Sequence, residues 1–244
     1  MVRNGITTGS IGFQKNADSF PQRHRALYHC PVPIRMARMF IVFDGVDGAG
    51  KSTQLKLAGE YLQATGRTVV HCSDPGSTAL GQKMRKLVLD HHDIPVSPRS
   101  EAFLFLAARA QLVDEIIQPS LDAGKVVLCD RFTFSTVVYQ GHAGLLKPGD
   151  IWAANQLATG GLHPVLTVLF DLSVEQAAVR MGNRQPDRME SRGAEYLEEV
   201  RNGFLYEAKR WPHGVEVVDA TGTTEEVFAR IRVFLDQLLE AETE

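Results

Sequence analysis

The stretch Gly45-Val-Asp-Gly-Ala-Gly50-Lys51-Ser52-Thr53 constrains this chain more than any other segment of it. It has the spacing G-x4-G-K-[ST], directly follows the apolar run Phe40–Phe43, and opens a stretch that reads as a helix. Strand, glycine turn and helix in that order hold phosphate for a physical reason. Glycines let successive backbone N–H groups converge on one concavity, and the positive end of the helix adds its attraction for an anion. Gly45, Val46, Asp47, Gly48, Ala49, Gly50 and Thr53 are therefore expected to wrap the phosphates of ATP, with Lys51 reaching the β and γ groups. Ser52 would give its hydroxyl to Mg²⁺, which bridges phosphate oxygens and offsets their charge.

A loop of this kind needs a parallel sheet behind it, and the rest of the chain supplies one. Five β-branched or apolar runs recur, Phe40–Phe43, Thr68–Cys72, Val126–Cys129, Val165–Phe170 and Val215–Val218, with helical patterns between most of them. That alternation predicts an α/β fold in which helices flank a parallel sheet. Gly66 and Gly124 fall where helix C-caps are wanted, and Ser97-Pro98 marks a helix start whose apolar pattern runs through Phe103, Leu106, Ala110 and Val113 toward Pro119. Thr223-x-x-Glu226 has the form of a capping box ahead of Val227, Ile231 and Phe234.

Composition narrows the partners. Lys plus Arg number 26 against 29 Asp plus Glu, so the net charge of −3 offers no basic field for a nucleic-acid polymer, and any anion has to be held locally. No stretch approaches the roughly 20 apolar residues that span a bilayer, so no membrane partner is expected. Cys30, Cys72 and Cys129 are odd in number, and the last two end apolar runs as small hydrophobes, which fits a reducing cytoplasm. Residues 1–35 are rich in Gly, Ser, Pro and basic residues with little periodicity, and are expected to be a disordered N-terminal extension ahead of one domain at 36–244. Met36 and Met39 stand just before the first strand, so an upstream start codon explains the extension more simply than a targeting segment.

A second element, Val126-Val-Leu-Cys-Asp130-Arg131, ends an apolar run with a carboxylate beside a guanidinium at the carboxyl edge of the sheet, where ligands bind in open α/β folds. Asp130 suits the Mg²⁺ shell and Arg131 suits a bidentate grip on phosphate; an ordinary strand-end ion pair fits the pair equally well. No Asn-Lys-x-Asp guanine reader occurs in the chain, and a remodelling ATPase needs a larger chain or a basic surface, which leaves a small-molecule kinase.

Several motifs together resemble the thymidylate kinase family: Phe43-Asp-Gly-Val-Asp-Gly-Ala-Gly-Lys-Ser-Thr-Gln54, Leu106-Ala-Ala-Arg109-Ala-Gln111, Asp130-Arg131-Phe132, Ser135, Tyr139-Gln140-Gly141 and Asp187-Arg188-Met-Glu190. Their order and spacing cover residues 39–240. The resemblance implies a P-loop NTPase three-layer fold with a five-stranded parallel sheet, a lid around 180–193 and a homodimer. It also implies phosphorylation of dTMP to dTDP with ATP and Mg²⁺. Phe105 and Arg109 then lie at the thymine, a reading that their i, i+4 spacing on one helix face supports. The resemblance further assigns Arg131 to the acceptor phosphate, Asp47 to the deoxyribose 3′-hydroxyl, Ser135 and Thr136 to the neighbourhood of the base, and Tyr139 to C2′. Arg180 resembles the residue that packs on adenine, and Asp219-Ala-Thr221 the turn that closes that pocket.

The P-loop has no arginine of its own, so a lid bearing Arg184 or Arg188 would supply the cation that the transferring phosphoryl group needs. The chain departs from the family at Cys72-Ser73-Asp74-Pro75-Gly76-Ser77-Thr78, where bacterial members carry Thr-Arg-Glu-Pro-Gly-Gly-Thr. Ser73 removes a cation, and Asp74, at an acceptor-side position, is a shorter carboxylate. Two alternatives stay open: a deoxynucleoside kinase, and a catalytically silent nucleotide-binding regulator, the latter favoured by Ser73-Asp74 alone.

Overall fold

The structure is a computed structural model that describes residues 38–90, 94–183, 185 and 187–241. The expectations for residues 1–35, Cys30 and Arg184 lie outside the described residues.

Strand β1 (Phe40–Gly45) is buried along its whole length, and its alternating side chains divide between two cores. Ile41 and Phe43 pack with Leu55, Leu62, Val227 and Ile231 on one face. On the other, Phe40 and Val42 meet Val113, Ile117 and Leu121. A strand buried on both faces must sit inside a parallel sheet with helices above and below. β2 (Val69–Ser73), β3 (Val126–Asp130), β4 (Leu166–Asp171) and β5 (Val215–Asp219) complete a parallel sheet of order β2-β3-β1-β4-β5. The five predicted runs are the five strands, each shifted or lengthened by one or two residues at its carboxyl end.

Those extra residues matter because they carry the polar chemistry. β1 ends in Asp44-Gly45, β2 in Ser73 and β3 in Asp130, with Phe43 opposite Asp130 in one register and Ser73 opposite it in the other. Cys72 and Cys129 are register partners, free and buried.

The helices are α1 (Lys51–Ala64), α2 (Ala79–Leu89), α3 (Pro98–Leu112), α4 (Gln118–Asp122), α5 (Thr133–Thr136), α6 (Pro148–Ala158), α7 (Val174–Met181), α8 (Ala194–Arg210) and α9 (Thr224–Ala241). Ser97 caps α3 by accepting from the Ser100 N–H, with Pro98 in the first turn as predicted. The helix widens into a π-turn over Val113–Ile117 before running into α4, just ahead of Pro119, which has no N–H for the ladder. A second π-turn, Val137–His142, extends α5. The capping box forms, Glu226 N–H to Thr223 Oγ1 at 3.2 Å and Thr223 N–H to Glu226 Oε2 at 2.9 Å.

One predicted core position is wrong. Phe103 is 64% exposed, because the buried stripe of α3 runs through Ala102, Leu106 and Arg109, to one side of it.

Candidate active site

The P-loop is held by close backbone packing. Gly45 (φ 133°) lies against β4, and a Cβ at Gly48 (φ 80°) would stand 2.6 Å from the Ala177 carbonyl oxygen of α7. No other residue type fits either position without displacing backbone. The loop and α1 open onto a cavity of about 990 Å³, bordered at one end by Ser73, Asp74, Arg85 and Arg131 and at the other by Arg180 and the start of α9.

Lys51 is buried, donates to the Val46 carbonyl at 2.8 Å and lies 3.7 Å from Asp47. Burial, with Arg131 nearby, lowers its pKa from the usual lysine value against the pull of Asp47, Asp130 and Asp44. Ser52 Oγ donates to Asp130 Oδ2 at 2.8 Å, so a hydroxyl and a carboxylate from two elements meet at the phosphate end of the cavity. Hard oxygen donors so placed fit Mg²⁺, which takes one or two protein oxygens and fills its octahedron with phosphate and water.

Arg131 is the only non-glycine residue with positive φ among the described residues, at 70°. Its guanidinium donates to Asp47 Oδ1 at 2.5 Å, to the Gly45 carbonyl and Ser135 Oγ at 3.0 Å each, and lies 5.3 Å from the Tyr139 ring centre. Burial opposes its charge, but Asp47, Tyr139 and Asp44 raise its pKa well above the usual arginine value, so it stays a cation. Such a backbone costs roughly 1–3 kcal/mol and persists because surrounding contacts impose it.

Asp44 stands beside the Arg131 side chain. Fully buried at the end of β1, it accepts from the Gly45 N–H (3.0 Å), the Ser135 N–H (3.2 Å) and Ser135 Oγ (2.7 Å), and stands 3.4 Å from Arg131. Burial raises its carboxyl pKa despite Arg131 and these hydrogen bonds. Sequence reasoning did not assign Asp44 to the site. The available signal was an acid at the end of Phe-Ile-Val-Phe, a run otherwise apolar and centrally buried.

The other predicted acceptor-side residues lie behind this pair. Tyr139 hydroxyl donates to Asp47 Oδ2 at 3.4 Å, and Ser135 and Thr136 are buried, Thr136 Oγ1 without a partner among the described residues. Burial raises the Tyr139 pKa well above the usual phenol value.

Arg109 is 1% exposed. Its Nε donates to Asp74 Oδ2 at 2.5 Å, one terminal nitrogen to Asn155 Oδ1 and the other to the Phe132 carbonyl at 3.0 Å, all inside the protein. Like Ser135, Thr136 and Tyr139, neither Arg109 nor the half-buried Phe105 is among the residues that border the cavity. A guanidinium following Leu106-Ala-Ala on a core-facing stripe is drawn inward, and a buried cation requires a carboxylate. Asp74 provides it, and burial raises the Asp74 pKa while Arg109 opposes that rise; Asp74 Oδ1 has no partner among the described residues.

Arg188, expected at the transferring phosphate, is instead bound to Glu101 Oε2 at 2.6 Å and to the Val88 carbonyl at 2.8 Å. The Asp187-Arg188-Met189-Glu190 motif folds as reciprocal caps. Asp187 Oδ1 accepts from the Met189 and Glu190 N–H groups, and Glu190 Oε2 accepts from the Asp187 N–H. Arg180 does border the cavity, where it donates to the Ala220 carbonyl at 2.9 Å across the mouth. Asp219 caps the turn below it through the Thr221 N–H.

Arg85, also unassigned from sequence, brings a cation into the cavity at the end where Ser73 removes one, and donates to the Pro75 carbonyl at 3.2 Å. Within Lys83-Met-Arg85-Lys86 nothing in the local sequence sets it apart from its basic neighbours.

A five-stranded parallel sheet whose first strand feeds a phosphate cradle, with a hydroxyl–carboxylate pair and a strained arginine beside it, defines the class of P-loop phosphotransferases. A family model described as thymidylate kinase matches residues 43–231. The chain is 42% identical over 201 residues to a thymidylate kinase of Symbiobacterium thermophilum, covering 82% of this chain and 94% of that one. A thymidylate kinase of Thermosipho melanesiensis is 42% identical over 202 residues, covering 83% and 100%. The crystal structure of thymidylate kinase from Ehrlichia chaffeensis superposes with a TM-score of 0.67 at 30% identity, covering 82% of this chain and 98% of that one. The chain belongs to the thymidylate kinase family.

Proposed function

We propose that the protein transfers the γ-phosphoryl group of ATP to the 5′-phosphate of dTMP, giving dTDP and ADP. Family membership over most of the chain supports this reading, and so does one local observation: Lys51, the Ser52–Asp130 pair and Arg131 border one cavity at the carboxyl edge of the sheet. An acceptor phosphate oxygen attacks the γ-phosphorus in line while the bond to the β–γ bridging oxygen breaks and ADP keeps the electron pair. Such a transfer asks the protein for positioning and charge, not for a covalent intermediate.

In this reading Lys51 and the loop N–H groups hold the ATP phosphates, and Arg180 faces the adenine. Ser52 and Asp130 hold Mg²⁺, which when bound offsets the charge on the phosphate oxygens. Arg131 grips the acceptor phosphate in exchange for part of its contact with Asp47, which turns to the 3′-hydroxyl. Tyr139 excludes a 2′-hydroxyl. The remaining cation comes from the segment around Arg184.

The domain responsible is 36–244, with 1–35 dispensable, and the setting is cytoplasmic; no helix among the described residues is long and apolar enough to cross a membrane. A homodimer would cover the exposed Phe103 and Leu157 on α3 and α6. ADP release measured over dTMP, dUMP, dCMP, UMP and thymidine tests the proposal. The thymine methyl contributes only about 1 kcal/mol on burial, so dUMP should work more weakly than dTMP, while UMP, whose 2′-hydroxyl meets Tyr139, should fall far behind. Thymidine phosphorylated faster than dTMP would turn the reading into a deoxynucleoside kinase.

A further inference from the structure

Outside the phosphate cavity, a second polar node is buried between α3, the π-turn Val137–His142 and the 187–192 segment. Glu101, in the first turn of α3, is 2% exposed, yet sequence reasoning gave it no role. Its Oε1 accepts from Gln140 Nε2 at 3.0 Å, and its Oε2 accepts from Arg188 at 2.6 Å and Arg192 at 2.8 Å. One buried carboxylate thus gathers three elements. Charge-assisted bonds in a dry environment are the strong kind, and they hold only while the carboxylate is present.

Two routes lead from Glu101 to a single residue. Gln140, itself 3% exposed, is the chain neighbour of Tyr139, so clamping its side chain fixes the backbone there. Arg192 stacks on the Tyr196 ring, 5.0 Å from its centre, and the Tyr196 hydroxyl donates to the Tyr139 carbonyl at 3.1 Å. Burial pushes the Tyr196 pKa up to about 12, so this donor keeps its proton at any working pH. Tyr139 in turn touches Asp47 and lies under Arg131.

We propose that Glu101 is a positioning residue of the acceptor site, holding Tyr139 in place from two directions through Gln140 and through Arg192 and Tyr196. The inference rests on the reading of Tyr139, Asp47 and Arg131 as the acceptor side. It also gives Arg188 and Arg192 a role that needs no contact with phosphate: they keep the 187–192 segment on α3 as the outer wall behind Tyr139.

The node meets the P-loop through Tyr139 and Asp47, on the side read as the acceptor's, so the effect of breaking it falls mainly on the acceptor. Glu101→Gln keeps the shape and removes the charge. We expect it to raise KM for dTMP roughly tenfold, leave KM for ATP unchanged, and narrow the preference for dUMP over UMP, because small misplacements at a reacting group are costly. In the double variant Glu101→Gln/Tyr139→Ala the loss should be no larger than in Tyr139→Ala alone, as expected of residues acting through one another. Wild-type KM for dTMP in folded Glu101→Gln, or fully additive losses in the double variant, overturns the proposal. If Glu101→Gln does not fold, Arg192→Gln cuts the Tyr196 route while Arg188 still pairs the carboxylate. The same selective rise in KM is expected, and its absence overturns the proposal. Should the wild-type protein not phosphorylate dTMP, the functional reading fails on its own. The anchoring is then read by tryptic cleavage after Arg188 and Arg192, which Glu101→Gln should accelerate; equal rates overturn it.

Discussion

The two ends of the cavity are built from different materials. At the donor end the machinery is backbone: a run of glycines packed against β4 and α7, with Lys51 and Ser52 at the head of a helix. At the acceptor end it is side chains borrowed from distant elements, with Arg131 suspended between Asp44, Asp47 and Ser135 and, behind the cavity wall, Arg109 held between Asp74, Asn155 and Phe132. The first arrangement is local in sequence, so it is written as a motif. The second is a set of long-range ion pairs whose members are individually ordinary residues. It follows that the donor end fails by losing one group, whereas the acceptor end fails by losing the balance among several.

The sharpest test of this contrast is Lys51→Ala. It should lower kcat/KM by about three orders of magnitude, since a positioned cation at a transferring phosphate contributes on that scale, while the circular dichroism and Tm stay close to wild type. Near-normal turnover in that variant would remove the donor-end reading.

Arg131 separates catalysis from strain in one pair of variants. Arg131→Ala and Arg131→Gly should both lose about two to three orders of magnitude in kcat/KM. Only glycine relaxes the backbone at φ 70°, so Arg131→Gly should be about 1 kcal/mol more stable than Arg131→Ala in urea unfolding. Equal stability would show that the surrounding contacts impose no strain there.

A smaller effect concerns Asp44, whose native pKa is raised above the ordinary value of 3.8, burial being the main cause. The folded state therefore holds this proton more tightly than the unfolded one. Its contribution to stability is fully present below pH 3.8 and is lost as pH rises through the native pKa. The Tm of the wild type should accordingly fall relative to that of Asp44→Asn as pH increases across that window. Parallel Tm curves would mean that the hydrogen bonds to Asp44 outweigh its burial.

The smallest expected effect is none. A chain starting at Met36 should keep the wild-type kcat/KM and Tm, because residues 1–35 lack the apolar periodicity to join a core. A loss in either measurement would show that the extension packs against the domain or its ligands.

Much of the architecture was legible because it depends on short-range physics. The five apolar runs, the caps at Ser97 and Thr223, the glycines at 66 and 124, and the P-loop each declare themselves within a few residues. Phe103 was misread because a helical apolar stripe can be drawn through several neighbouring positions, and only the packing partners choose one. The charged residues were less legible still. Arg85, Arg109 and Arg188 carry the same head group, yet one borders the cavity, one is buried on Asp74 and one is tied to Glu101.

By itself, then, the sequence determined that this chain builds a parallel sheet behind a phosphate cradle, because strand, turn and helix signals are local and the cradle is made of main chain. Only the tertiary structure decided which carboxylate each guanidinium meets. That choice depends on elements separated by tens of residues coming together where water is excluded, since an unpaired charge there is too costly to leave.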